Sequence, residues 1–259
     1  MTERRTRRTK EDLRTLLLDA AQTILREEGL GVGTDGLTFK RVFDRVEQDT
    51  GLRLTNASVI RRVWENQAEY HTDVLLDILS TDDNTEEFED TFGEVIPLLA
   101  GLDLSTPAKR WDALREVCRV GGAANIHALR SSNTWSLWIG IWALATAGEV
   151  NEHKRKIQSA LLDGYESVAQ TYLQTYAALA EFLGVRLRDG LTMRQLTVSV
   201  GALAEGCALR NRVDSDMDGI LLPTGPAGEM QEWTLFGLGL ESLALRYLEI
   251  DPDWEPPPA

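Results

Sequence analysis

Five of the seven residues from Arg4 to Lys10 are basic (Arg4, Arg5, Arg7, Arg8 and Lys10), a run suited to neutralising phosphate. Farther along, Asn56 and Ser58 carry groups that hydrogen-bond base edges, and Ala57 is small enough for close approach. Arg61 and Arg62 reach phosphate or guanine from the same segment. Thr38, Lys40, Arg41 and Arg53 are further phosphate candidates, and Thr55 opens a turn whose free amide groups add to them. These residue types perform recognition of a duplex, not bond making.

Other chemistry finds less support. Asp82-Asp83-Asn84-Thr85-Glu86 matches the DDxxE spacing with which all-α isoprenoid synthases hold Mg²⁺ and a diphosphate. No second acidic motif accompanies it, and a solvated charge run is the plainer account. An enzyme using Asp82, Asp83 and Glu86 with Mg²⁺ stands as the alternative, beside a protein-binding helical adaptor. Gly29-x-Gly31-x-Gly33 follows a helical stretch and lacks the lysine of a phosphate loop. Cys118 and Cys207, with His71, His127 and His153, form no metal-ligand spacing. No catalytic residue, metal or cofactor is therefore predicted, and two reduced thiols suit a cytoplasmic protein. The start MTERRTRRTK has no apolar stretch of the signal-peptide kind. The longest weakly polar run, Trp135 to Gly148, is too short to span a bilayer, so no membrane partner is expected.

Positioning such residues is the task of the surrounding elements, and charge divides them. The chain has 259 residues and a net charge of −14, which taken whole disfavours a phosphate partner. Residues 1–67 hold 13 Lys/Arg and 11 Asp/Glu, a net of +2; the remainder holds 14 and 30, a net of −16. A basic arm thus leads a nearly neutral segment and an acidic body, a reason to expect two domains with different partners.

Leu13, Leu16, Leu17, Ala20, Ala21, Ile24 and Leu25 follow helical spacing, so residues 10–28 are predicted as an amphipathic helix capped by Thr9. Helices follow at 38–50, 55–63, 67–80, 86–100, 107–131, 134–147, 151–183, 192–212 and 228–248. No stretch alternates long enough to argue for a sheet. The tail 251–259, with four of the eight prolines, is predicted to be disordered. The expected class is all-α.

Three short helices with a tight Gly51 turn between the second and third have the layout of a helix-turn-helix. Residues 10–75 resemble the DNA-binding domain of TetR-family transcriptional regulators. The resemblance rests on Leu18-Asp19-Ala20-Ala21 through Ile24-Leu25 and Glu28-Gly29, on Leu37-Thr38, on Gly51-Leu52, and on Ile60-Arg61-Arg62-Val63-Trp64 followed by Glu65-Asn66-Gln67-Ala68-Glu69-Tyr70. Arg61 stands where the family has a phosphate-binding tyrosine, and Gln67 where it has a lysine. The resemblance implies a homodimeric repressor on a pseudo-palindromic operator in double-stranded DNA, released by a small-molecule effector. It implies a DNA-binding domain over 1–66 and a helical dimerisation and effector domain over 67–250.

Candidate interface residues recur along the last two helices: Leu196, Val200 and Leu203, then Trp233, Phe236, Leu240, Leu243 and Tyr247. Gly201, Gly206, Gly237 and Gly239 lie in the same stretches and allow close helix approach. An apolar or aromatic effector would meet Trp135, Trp138 and Trp142 on one helix face. Phe92, Trp111, Tyr172 and Tyr176 are expected opposite them, with Asn125 as a polar handle.

Overall fold

The computed structural model describes residues 9–30, 34–54, 60–80, 85–214 and 219–255. In chain order the elements are α1 (Lys10–Glu28), α2 (Phe39–Thr50), α3 (Gln67–Ser80), α4 (Thr85–Leu99), α5 (Pro107–Ser131), α6 (Asn133–Thr146), α7 (Glu152–Leu183), β1 (Val185–Leu187), α8 (Met193–Asn211), β2 (Ile220–Leu222), β3 (Gln231–Trp233), α9 (Leu235–Tyr247) and β4 (Leu248–Ile250), with 3-10 turns at Thr34–Gly36, Ile60–Arg62 and Pro226–Gly228. The class is all-α. The chain divides into two compact units: residues 1–83 with 133–165, and residues 84–132 with 166–259. The functional partition expected at residue 66 does not coincide with this division, because α3, α6 and the start of α7 share a core with the N-terminal helices.

In the first unit, α1 starts where Thr9 Oγ1 accepts from the Asp12 amide at 3.0 Å and the Thr9 amide donates to Asp12 Oδ2 at 2.9 Å. This reciprocal cap satisfies two amides that a helix start leaves free. Leu13, Leu17, Leu18, Ala21, Ile24 and Leu25 form the buried face. Helix α2 opens at Thr38 and stops at Gly51, whose φ of 68° is left-handed and suits glycine. Val42 and Val46 of α2, and Tyr70, Val74, Leu75 and Ile78 of α3, close on that face. Leu137, Trp138 and Ile141 of α6 and Ile157 and Leu161 of α7 complete the core. Gly140 lies against Leu30, and Gly164 lets the Trp138 ring rest directly on the α7 backbone.

The second unit is organised by the crossing of α5 and α9. A Cβ built on Gly122 would sit 2.6 Å from the Gly237 Cα, so the two backbones touch where neither residue has a side chain. Beside this crossing, α8 packs on α9 with Leu203 filling the notch at Gly239. Two antiparallel ribbons were not expected: β1 pairs with β4 and β2 with β3, three residues each. Such short strands offer too few residues for an alternating pattern to register. The second ribbon also delays α9, which begins at Leu235 behind the Thr234 cap and not near residue 228. Trp233 therefore lies on a strand, buried, its Nε1 donating to Thr224 Oγ1 at 2.8 Å.

The tail is a further correction. Residues 251–254, expected to be disordered, are docked: the Asp251 amide donates to Gly184 O at 3.0 Å and Trp254 Nε1 to Glu181 O at 2.7 Å. Buried Arg110 donates to Gly184 O at 3.0 Å and Asp251 O at 3.2 Å, and its guanidinium lies 4.9 Å from the Trp254 ring centroid. The proline run 256–258 is outside the described residues.

The interface face expected from helical spacing is largely used within the chain. Leu196, Val200, Trp233 and Phe236 are already buried in the second unit. Leu203 fills the Gly239 notch, and Tyr247 OH lies 3.2 Å from Ser199 Oγ, tying α9 to α8. Side chains at helical spacing meet a neighbouring helix equally well whether it belongs to the same chain or another.

Gly122→Ala forces the α5–α9 crossing apart and is expected to cost about 1–3 kcal/mol. Gly93→Ala, at an exposed position of α4 with no described atom within 4 Å of the added methyl, is expected to add about 0.5–1 kcal/mol. Thermal or urea denaturation of both variants measures the opposite signs.

Candidate nucleic-acid interface

The segment carrying Arg61 and Arg62 is held from beneath by a shared carboxylate. Trp64 Nε1 donates to Asp73 Oδ2 at 2.8 Å. Arg14 reaches the same group from α1 in fork geometry, Nε to Oδ2 and Nη2 to Oδ1, each at 2.8 Å. One α3 side chain thus ties α1, α3 and the end of the 3-10 turn together. Val63 and Trp64 are buried, and Trp64 packs edge-on against Tyr70 at 4.7 Å. Tyr70 also meets Phe39 of α2 at 5.3 Å. With the inward face of the segment fixed this way, Arg61 and Arg62 face solvent.

Burial works against the Asp73 charge, but the bonds from Arg14 and Trp64 outweigh it and hold the carboxyl below its ordinary value. The Arg14 guanidinium is pushed up, chiefly by its bond to Asp73. One turn along α3, Asp77 is shifted upward by burial, which the bond from Gln22 Nε2 only partly offsets.

The phosphate candidates separate into two groups. Lys40 and Arg53 are exposed, and Arg53 is only loosely placed, 3.9 Å from Glu47 with 75% of its side chain accessible. Thr38 and Arg41 are occupied with local structure. Thr38 Oγ1 accepts from the Arg41 amide as the cap of α2, while Arg41 donates to Gly36 O at 3.0 Å and pairs with Glu28. Arg41 thereby braces the 34–38 turn against the end of α1, as His71 does from α3 through Thr34 Oγ1 at 3.0 Å. Arg45, which the spacing did not single out, is tied to Glu27 at 2.6 Å and Asp49 at 2.8 Å.

Arg4, Arg5, Arg7 and Arg8, and Thr55, Asn56, Ala57 and Ser58, lie outside the described residues, as do Asp82, Asp83 and the Glu86 side chain. Of the helix expected at 55–63, the described part is the 3-10 turn Ile60–Arg62. The residues missed by sequence reasoning are Arg14 and Asp73, which hold Trp64. An arginine on the α1 flank and an aspartate nearly two turns into α3 are a weak signal, since they are 59 positions apart.

The expected ligand residues are divided between the two units. Trp138 and Trp142 belong to the first unit, packed on Tyr165 with centroids 5.7 and 5.8 Å away; Trp142 Nε1 donates to Tyr165 OH at 2.6 Å. Trp135 is on the same helix, half-buried. Phe92, Asn125, Tyr172 and Tyr176 come together in the second unit with Phe88. Asn125 Nδ2 donates to Thr91 Oγ1 at 3.2 Å and lies 3.5 Å from Tyr172 OH. Neighbouring rings in this cluster are 4.5–6.1 Å apart, stacking distances that leave no space for a ligand between them. Trp111 lies elsewhere, beside Arg115 and Glu241 at a surface depression.

No protein-family model matches the chain, and no curated protein sequence matches it. Among solved structures the chain is similar to a provisionally assigned transcriptional regulator from Saccharomonospora viridis in complex with choline, at 16% identity and a TM-score of 0.44, over 92% of this chain and 99% of that one.

Because its folded pKa is depressed, Asp73 contributes stability at neutral pH that is lost as pH falls through the carboxylate range. Asp73→Asn is expected to lose about 1.5–3 kcal/mol at neutral pH, in line with bonds to a charged group. Its denaturation midpoint should then fall less steeply in acid than that of the parent protein. Urea melts across that range measure both effects.

Proposed function

We propose that the chain is a dimeric DNA-binding transcriptional regulator, acting as a repressor whose operator is released when a small ligand binds. The observation that carries this is the solvent-facing Arg61–Arg62 pair, set by the Asp73 anchor on a helical unit of an otherwise strongly acidic protein. Arginines projecting from the far side of a rigid aromatic anchor suit duplex phosphate and guanine edges. Asn56 and Ser58, just ahead of them in sequence, supply base contacts, and the Arg4–Arg8 arm adds phosphate or minor-groove contacts. Lys40 and Arg53 extend the phosphate contacts. Charge of the opposite sign over the rest of the chain suppresses non-specific adhesion and orients the molecule on the duplex.

The homodimer is assigned to the outward face of α8. Val198 is 52% exposed and Leu209 44%, and Gly201 and Gly206 between them have open space at the Cβ position. An antiparallel approach of two α8 helices across a two-fold axis sets Val198 opposite Leu209 and Gly201 opposite Gly206. The same patch is then complementary to itself, as an isologous interface requires. DNA recognition is assigned to residues 1–66, dimerisation and ligand binding to the body that follows. A DNA partner places the protein in the cytoplasm, and among the described residues no helix is long and apolar enough to cross a membrane.

Two measurements test this. In fluorescence anisotropy with a selected operator duplex, Arg61→Ala and Arg62→Ala should each weaken specific and random DNA alike and lower the salt slope by about one. Asn56→Ala should instead erode discrimination between them by about 1–3 kcal/mol. In sedimentation, Val198→Glu should convert a micromolar dimer to monomer; a parent protein that sediments as a monomer removes the dimer from the proposal.

A further inference from the structure

We infer that Glu28 withholds the Arg41 guanidinium from duplex phosphate, so that the chain meets DNA with fewer available cations than its sequence offers. This rests on the DNA-binding part of the function proposed above and names the residue that sets the strength of one phosphate contact.

The charge of the segment is the first sign of such a restraint. From Arg26 to Arg53 there are five basic and six acidic residues, a net of −1, although Lys40, Arg41 and Arg53 all lie within it. A segment with no net positive charge draws phosphate only through cations that its own carboxylates do not hold. Two of those carboxylates stand where a lone helix disfavours them. Glu27 and Glu28 close α1, at the end where the helix dipole is negative. Each meets an arginine of α2 instead: Glu28 pairs with Arg41 Nη2, and Glu27 Oε2 accepts from Arg45 Nη1 at 2.6 Å. Arg41 and Arg45 are one turn apart, so the end of α1 lies along one flank of α2.

The two pairs are not equivalent. Arg45 is held twice, by Glu27 and by Asp49, whose two oxygens accept from Arg45 Nε at 2.8 and 3.0 Å. Only 18% of its side chain is exposed, and the bonds from Glu27 first and Asp49 next push the guanidinium upward. Removing either carboxylate leaves Arg45 on the other. Among the described residues Arg41 meets a single carboxylate. Its Nη1 donates to Gly36 O at 3.0 Å and its Nη2 to Glu28, with the two side chains 41% and 55% exposed. An ion pair this open contributes little net stability, so a phosphate exchanges for Glu28 at small cost. Until that exchange the Arg41 charge is cancelled in place. A weakened phosphate contact of this kind leaves base contacts a larger share of the affinity, which favours discrimination between sequences.

The test is fluorescence anisotropy of the full chain with a mixed-sequence duplex, run between about 50 and 200 mM salt. Glu28→Gln should bind roughly five-fold tighter at about 150 mM salt and steepen the salt slope by about one, the mark of one more phosphate neutralised. The gain should vanish when Arg41→Gln is added, because the double variant has no guanidinium to release. Glu27→Gln leaves Arg45 on Asp49, and Asp44→Asn removes an exposed charge of α2 that holds no arginine among the described residues. Each should stay within two-fold of the parent protein with its slope unchanged. A Glu28→Gln variant that binds as the parent does, or a gain that persists without Arg41, would overturn the inference. So would an equal gain from Glu27→Gln or Asp44→Asn, since net charge alone would then set the affinity. Thermal melts of every variant separate altered binding from altered folding. A parent that binds duplex while Glu28→Gln adds nothing sinks this inference alone; a chain that binds no duplex in either form sinks the regulator proposal and this inference together.

Discussion

The Asp73 carboxylate is the constraint on which the first unit depends. It is the common acceptor for a guanidinium from α1 and an indole from the end of the 3-10 turn, and it is itself fixed on α3. Burial alone would favour protonating it, and a neutral carboxyl would weaken both bonds together. The two donors keep it charged, and the charged form keeps the donors in place. Everything placed outside this anchor takes its direction from it: Val63 and Trp64 point inward, so Arg61 and Arg62 point outward. A loose basic segment would contact phosphate with no register. A basic segment on a fixed footing can present the same face to every duplex.

The second unit solves a different problem, the packing of long helices with little room for side chains between them. At Gly122 and Gly237 the backbones of α5 and α9 meet directly, and at Gly239 the neighbouring α8 does nearly the same through Leu203. Glycine within a helix costs about 1 kcal/mol against alanine, which is recovered only where close approach needs it. Among the described residues Gly201 and Gly206 have no such neighbour, and their cost is unrecovered there. That contrast between glycines in one pair of helices is what directs the proposed dimer contact to α8 and away from α9.

Helix ends were legible where a cap is local. The Thr9 cap and the Gly51 stop placed the start of α1 and the end of α2 where the structure has them. The ribbons escaped because three residues carry no periodicity, and β3 displaced the start of α9 by several residues. On the interface and tryptophan faces, apolar spacing reports that a face is covered, not by what. Trp138 is covered by Tyr165 and Gly164, Leu196 and Val200 by the second unit's own core. In the candidate site, the solvent-facing arginines could be read from sequence, whereas the Glu28 that occupies Arg41 and the Asp73 that orders Trp64 could not. Those pairings join residues of different elements, and their spacing follows from the fold.

Selection of bound sequences from a random duplex pool tests the central claim most directly. A regulator of the proposed kind enriches a two-fold symmetric consensus with half-sites about 34–36 Å apart, or a multiple of that repeat, one major groove for each Arg61-bearing segment. Recovery of a pool no different from the input, at a salt concentration where basic proteins still bind DNA, would contradict it.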